Sequence, residues 1–257
     1  MSKLLVLLFK MSKEDYLKQF RGALFGSYWS MVQPIVLTVL WCLVFGLGLK
    51  AAPVNDHPFA PWLICGIAPY FYFSEVLSRG VNSFSEYSYL VKKVVFPVKT
   101  IPLIKLLSST LPHVFFILLS LLTLLIYGYS LALDVFGVFF YFICLVWVTI
   151  PILFFVSILN VFLKDVSHIL SVILQVLVWV TPVFWQREML PDSLSFIALF
   201  NPLSYVVTGY RSSLLGIHLF DQTFLFESGI FFLIGVLLYS LAYFVYRKLR
   251  PELADYL

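Results

Sequence analysis

Six apolar runs, at about residues 32–50, 59–78, 104–127, 135–163, 166–185 and 229–246, alternate with shorter stretches that hold most of the chain's charges. A membrane-spanning helix needs roughly 17–25 predominantly apolar residues, and each run comes close to that length. An isolated apolar segment in lipid must satisfy its backbone polar groups internally, so the expected element is an α-helix in every case. The alternating pattern of a transmembrane β-barrel is missing. The pattern predicts an all-α integral membrane protein with six transmembrane helices, one domain over residues 1–257.

Residues 1–30 precede the first run. The apolar stretch Leu4–Phe9 is too short for the core of a signal peptide, and no small-residue cleavage site follows it. Lys10, Lys13, Lys18 and Arg21 interleave with Tyr16, Leu17 and Phe20, which predicts an amphipathic helix lying in the cytoplasmic membrane interface.

Composition agrees: 61% of residues are hydrophobic and 12% charged, with a mean hydropathy of +0.99, against about half and a quarter in soluble domains. Charge sets the orientation. Of the 17 lysines and arginines, only Lys50, Arg187 and Arg211 fall on the side opposite the N-terminus when the six runs are threaded through a bilayer. Basic residues collect on the cytoplasmic side, so both termini are expected there. The net charge of +4 is accounted for by basic loops beside anionic lipid headgroups, with no nucleic-acid partner. Cys42, Cys65 and Cys144 lie singly inside predicted spans, without metal-ligand spacing.

Two segments between the runs stand out. At residues 82–100, Glu86-Tyr-Ser-Tyr-Leu90-Val-Lys92-Lys93-Val-Val-Phe96-Pro97 is basic and amphipathic. Asn82 to Lys93 can form one short helix along the membrane, with Phe84, Tyr87 and Val91 on one side, ended by Phe96-Pro97 because the residue before proline leaves helical geometry. It reads either as a positive-inside loop or as a docking helix for a cytoplasmic subunit. The outer segment, 186–228, is too apolar for an ordinary loop, and Asn201-Pro202 breaks it into halves too short to span. Two short re-entrant or interfacial helices are expected there; a membrane-surface hairpin is the plainer alternative.

Glu75 and Arg79 are spaced for an i,i+4 ion pair, Asp165 is placed to cap the helix it opens, and His113 reads as a hydrogen-bonded interior residue. Aromatic residues make up 19% of the chain, as both interfacial belts and sugar-stacking surfaces require. There is no Gly-x-x-x-x-Gly-Lys-Ser/Thr to hold ATP phosphates, no Gly-x-Ser-x-Gly and no His/Cys cluster. No catalytic residue, metal ligand or cofactor is therefore expected in this chain.

Four motifs in order resemble one family. They are Tyr16-Leu-Lys-Gln-Phe-Arg-Gly-Ala-Leu-Phe25-Gly-Ser-Tyr-Trp29-Ser-Met-Val-Gln33-Pro34; Leu90-Val-Lys-Lys-Val-Val-Phe-Pro97; Lys164-Asp165; and Thr181-Pro182-Val-Phe184, followed by Asn201-Pro202-Leu203 and Tyr210-Arg211-Ser-Ser-Leu-Leu215. The set is similar to permease subunits of type-2 ABC exporters of bacterial surface polysaccharide, most of all to O-antigen export permeases, with capsule and teichoic-acid permeases as near relatives. Phe25 in place of leucine and Lys164 in place of arginine are departures.

The resemblance implies a homodimer forming the channel, served by two copies of a cytoplasmic ABC ATPase subunit that binds ATP and Mg. It also implies lipid-linked O-antigen polysaccharide as substrate (alternatively capsule or teichoic acid), membrane lipids as surroundings, and the bacterial inner membrane as location. Residues 82–100 would be the coupling helix, with Glu86, Leu90, Lys92, Lys93, Phe96 and Pro97 against the ATPase. Trp41, Phe45, Gln175 and Trp179 would line the substrate path, and Pro182, Asn201, Pro202 and Arg211 would form an outer gate. Rival classes are a membrane-integral transferase acting on lipid-linked sugars, which predicts turnover by the chain alone, and a channel or scaffold needing no ATPase.

Overall fold

The computed structural model describes residues 3–50, 53–54, 57–92, 96–129, 134–217 and 222–257. Among the described residues every regular element is helical, and the β-type pairing is confined to an isolated bridge between Val54 and His57. In chain order the helices are α1 (Lys3–Lys18), α2 (Trp29–Cys42, continued by a π-helical turn Leu43–Gly48), α3 (Phe59–Gly80), α4 (Ser83–Glu86), α5 (Ser88–Val91), α6 (Ile101–Ser108), α7 (Thr110–Ile126), α8 (Val135–Phe162), α9 (Asp165–Val180), α10 (Ser195–Phe200), α11 (Pro202–Leu215) and α12 (Gln222–Leu249).

The stretches Gly26–Gly46, Val98–Ile126, Val135–Phe162 and Phe224–Glu252 are long and apolar enough to cross a membrane. The other two predicted runs form helices that do not meet both conditions. α9 has 16 residues, because Thr181 takes an extended conformation ahead of Pro182. α3 has 22 but carries Glu75 and Arg79. Its position explains that tolerance: α3 packs against α6, α7, α8, α9 and α11, and all of Pro61–Tyr70 is buried. A helix enclosed by protein can hold polar groups that lipid would exclude.

The third run is interrupted at Ser109, between α6 and α7. Pro112 has no N–H to offer the Ser108 carbonyl, and its ring crowds that group. Within the 186–228 segment two short helices do form, but α12 begins inside it, already at Gln222. α11 is enclosed by the protein: nearly every residue from Leu203 to Leu215 is buried, against α3 and α8. Its C-terminus closes on Gly216 at φ 73°, a left-handed position that costs glycine nothing.

The apolar interior has two parts. The larger gathers α3, α8 and α11. The smaller lies at the other end of α8, where Leu8, Phe84, Ile101, Ile104, Val161 and Tyr246 meet. It joins α1, α4, α6 and the C-terminal ends of α8 and α12.

Candidate functional site

α1 turns Leu8, Ser12, Asp15 and Tyr16 inward, a spacing of about one helical turn that makes one face. Leu4–Leu7 and Phe9 stay exposed on the others. Asp15 is 5% exposed and its carboxylate is fully occupied. Oδ1 accepts from Lys105 Nζ at 2.7 Å and from the Tyr87 hydroxyl at 2.8 Å. Oδ2 accepts from Arg79 Nη2 at 2.6 Å and from Ser108 Oγ at 2.9 Å. Four donors from α3, the α4–α5 junction and α6 thus fill the four acceptor positions that a carboxylate has.

The network extends outward from there. Lys105 also donates to Glu86 Oε2 at 2.5 Å, and its ammonium lies 5.6 Å from the centre of the Tyr87 ring. Arg79 reaches Glu75 at 3.1 Å, the expected i,i+4 pair, and Ser109 Oγ at 3.2 Å. Burial by itself would raise the Asp15 pKa. Lys105, Tyr87 and Arg79 outweigh it and hold the carboxyl below its usual value. Burial raises the Tyr87 phenol, and the Asp15 charge that it donates to raises it further.

The basic segment is not one helix over Asn82–Lys93. α4 and α5 are single turns broken at Tyr87, whose φ of −107° and ψ of 27° lie outside helical geometry. The break lets Tyr87 point at Asp15 while Phe84 and Tyr87 are buried, with Leu90, Val91 and Phe96 packed partly against the same cluster. Lys92 and Pro97 are exposed. Glu86 is half-exposed, yet one of its oxygens is committed to Lys105. Lys93, with Val94 and Val95, lies outside the described residues.

A second tie runs from this segment to the α8–α9 turn. Asn160 donates from Nδ2 to Asn82 Oδ1 at 2.9 Å and accepts from the Ser167 backbone N–H at 3.1 Å, while Lys164 donates to Ser85 Oγ at 3.1 Å. The helix cap expected of Asp165 is therefore made by Asn160, because the turn brings the asparagine amide back over the first turn of α9; Lys164 occupies the N-cap position, but its side chain does not cap the helix.

A model of the ABC-2 type transporter family matches residues 6–215. The chain belongs to that family. Two O-antigen export system permease proteins RfbA of Klebsiella pneumoniae are each 24% identical to it over 253 residues, 98% of this chain and 95% of theirs. An O-antigen export system permease protein RfbA of Myxococcus xanthus is 23% identical over 210 residues, 80% of this chain and 79% of its own. The matched stretch contains the Asp15 network and the basic segment in full. Family and apolar helices together make this ABC-2 chain a membrane protein.

At the opposite end of the ABC-2 chain the four outer candidates fall into one unit. Arg211, 6% exposed on α11, stacks on the Trp62 ring at 3.5 Å. It donates from Nη1 to the Pro182 carbonyl at 2.5 Å, from Nε to that of Trp62 at 3.3 Å, and from Nη2 to that of Val183. A Cβ on Gly66 would collide with the guanidinium, so glycine there makes room for it. Asn201 caps α11 by accepting from the Leu203 N–H at 3.0 Å and donates to Thr181 Oγ1 at 3.0 Å. Pro202 follows at the first helical position, where a missing N–H is harmless.

Three of the four path candidates meet at one ring. Phe184 lies 4.9 Å from Trp41, 5.5 Å from Phe45 and 4.8 Å from Trp179, centre to centre. Gln175, one turn before Trp179 on α9, is on the wall of a cavity of about 890 Å³ that also reaches Gln19, Glu75, Arg79 and His113. His113 is buried and its Nε2 is 2.9 Å from the Tyr210 hydroxyl, the interior role expected of it.

Asp15, Lys105, Ser108 and Asn160 were not singled out by sequence reasoning, and Tyr87 was read only as part of the apolar side of the basic segment. The signal available was small. Asp15 is an acid on the same helical face as Leu8 and Ser12, inside a basic stretch. Lys105 is a cation inside the apolar run Ile101–Leu107, where a charge needs a partner.

Proposed function

We propose that this chain is the membrane subunit of an ATP-driven exporter that moves lipid-linked O-antigen polysaccharide across the bacterial inner membrane. Two copies form the channel, each with six spans and both termini in the cytoplasm, and α10 and α11 re-enter the membrane from the outer side. A separate cytoplasmic ABC ATPase, in two copies, binds ATP and Mg and docks against Leu90, Lys92, Lys93, Phe96 and Pro97. The lined path is needed because each sugar hydroxyl buried unpaired in hydrocarbon costs on the order of several kcal/mol. Two-fold symmetry is the common closed arrangement for such a pair.

The observation that carries this reading is the attachment of the basic segment. Exposed Lys92 and Pro97 sit on turns whose inner side is fixed twice, through Tyr87 and Glu86 to the Asp15 network and through Asn82 and Ser85 to the α8–α9 turn. A push on the exposed side is passed at once to α1, α3, α6 and α8. A loop that only balanced membrane charge would need none of these ties. The family match and the export function for which the relatives are named support the same reading. Its test is purification of the chain in mild detergent from cells that make it, with mass spectrometry of what accompanies it. A Walker-motif ATPase at one-to-one stoichiometry is expected. A chain that purifies alone, under conditions that keep other membrane complexes intact, overturns the proposal.

A further inference from the structure

At the outer end, away from the Phe184 aromatic cluster, a cavity of about 500 Å³ opens between α8, α10, α11 and α12, within the about 300–1,000 Å³ of small-ligand sites. Tyr141 and Tyr205 form its floor, both under a tenth exposed, with ring centres 5.4 Å apart. Tyr205 is fixed by its hydroxyl, 2.8 Å from Ser228 Oγ, and by stacking on Phe231 at 4.7 Å. Tyr141 is seated on Gly209, where a Cβ would strike its ring. Phe226, 64% exposed, stands at the rim. Polar groups face the same space: Thr208, and the Arg187–Glu227 pair at 2.8 Å, whose side chains keep 21% and 27% of their surface.

We infer that this cavity is a binding site for a pyranose unit of a saccharide, distinct from the transport path. A sugar ring has an apolar C–H face and a rim of hydroxyls that both donate and accept. Rigid aromatic faces answer the first. A carboxylate, a guanidinium and a hydroxyl on neighbouring walls answer the second, and charged partners make the stronger bonds. A hydrocarbon chain would leave the Arg187–Glu227 pair facing apolar atoms, and an anion would oppose Glu227. The inference rests on the export reading: a growing length of emerged polymer would be held at the outer end between steps, which disfavours sliding back.

The test places p-benzoylphenylalanine at Phe226, and separately at Phe244 on the inner half of α12, equally exposed at 65%, in cells making their surface polysaccharide. Irradiation is expected to attach carbohydrate at position 226 and not at 244. A high-mass ladder on the adduct identifies the exported polymer, and an adduct of one or two sugars identifies a free saccharide; either supports the site. Glu227→Gln is expected to lower the 226 adduct about five-fold or more, with Thr208→Val as the second variant in case the first fails to accumulate. An exporting 226 variant with no carbohydrate adduct, or equal labelling at 226 and 244, overturns the site and leaves the export reading standing. Unchanged surface polysaccharide in cells lacking the chain overturns the export reading itself.

Discussion

The two ends of this molecule each bury a charge, and they hold it differently. Asp15 is held by side chains, Lys105, Arg79, Tyr87 and Ser108, that belong to three other segments and could exchange partners. Arg211 is held by the carbonyls of Trp62, Pro182 and Val183 and by the face of Trp62. Backbone carbonyls move only when the backbone moves. The Arg211 end is thus a fixed clamp between α3, the end of α9 and α11, whereas the Asp15 end is a joint whose bonds can be redrawn as α1, α4 and α6 shift. If the basic segment is the driven surface, as proposed, the joint beside it is the part that needs bonds it can redraw.

The comparison breaks first at Arg211. Arg211→Met removes four N–H···O and cation–π contacts and leaves buried carbonyls unpaired, a loss on the order of 3 kcal/mol or more. Arg211→Lys is expected to do nearly as badly, since an ammonium cannot reproduce the planar fork. Both should accumulate poorly and melt early in detergent. A lysine variant that melts with the native chain would show that the clamp is only a charge site. Gly66→Ala, which forces the guanidinium aside, should follow the same pattern.

At the joint the expected loss is smaller and depends on the partner. Asp15→Asn leaves Lys105 and Arg79 without their shared anion, costing about 2–3 kcal/mol once the water that reaches Glu86 is allowed for. Removing both charges, as Asp15→Leu with Lys105→Met, should cost less than the two single losses added together, by about 1–3 kcal/mol. A thermal-unfolding cycle in nanodiscs measures this. Additive effects would mean that the network is four independent contacts.

How far such features could be read beforehand follows from how local they are. α8 runs from Val135 to Phe162, almost as its apolar run suggests, because the Asp134 carboxylate caps it and the break after it is local. Glu75–Arg79 was legible for the same reason: one helical turn supplies both partners. Asn201-Pro202 named its own helix start. Lys105 and Asp15 are 90 residues apart, and neither has a charged neighbour that predicts the other. The roles of Asn160 and Tyr87 are equally non-local. The Tyr87 kink that splits the expected helix is imposed by burying a hydroxyl against a carboxylate, which no hydrophobic period encodes. Where the sequence reading overran, at the end of α9, Pro182 was visible, but the apolar Val183-Phe184 beyond it extended the run.

Acid separates the ends more gently. The Asp15 pKa is held below its usual value of about 3.9, so its contribution is complete at neutral pH and down to that value, and is lost only as pH falls through the lower, folded-state pKa. Amide exchange, corrected for its intrinsic pH dependence, should rise in α1 and α6 only as pH falls below about 3.9, while α11 stays protected. The Asp15→Asn chain should lack that step. Equal loosening of α11 would deny the distinction between clamp and joint.

The smallest structural effect should accompany a large functional one. Lys92 is exposed and among the described residues its side chain makes no tie to the joint, so Lys92→Glu should leave stability within about 0.5 kcal/mol, the usual range for surface positions; Lys93→Glu is added to complete the charge reversal. Insertion and the melting temperature in detergent are expected to be native. If the exposed side of the segment is where the ATPase pushes, reversing its charge removes the push and leaves the lever intact: ATP hydrolysis in the reconstituted complex continues or rises, and surface polysaccharide disappears. Normal export by this double variant would sever the joint from the motion it is proposed to carry. Lost export together with a lowered melting temperature would show instead that these lysines hold the segment in place.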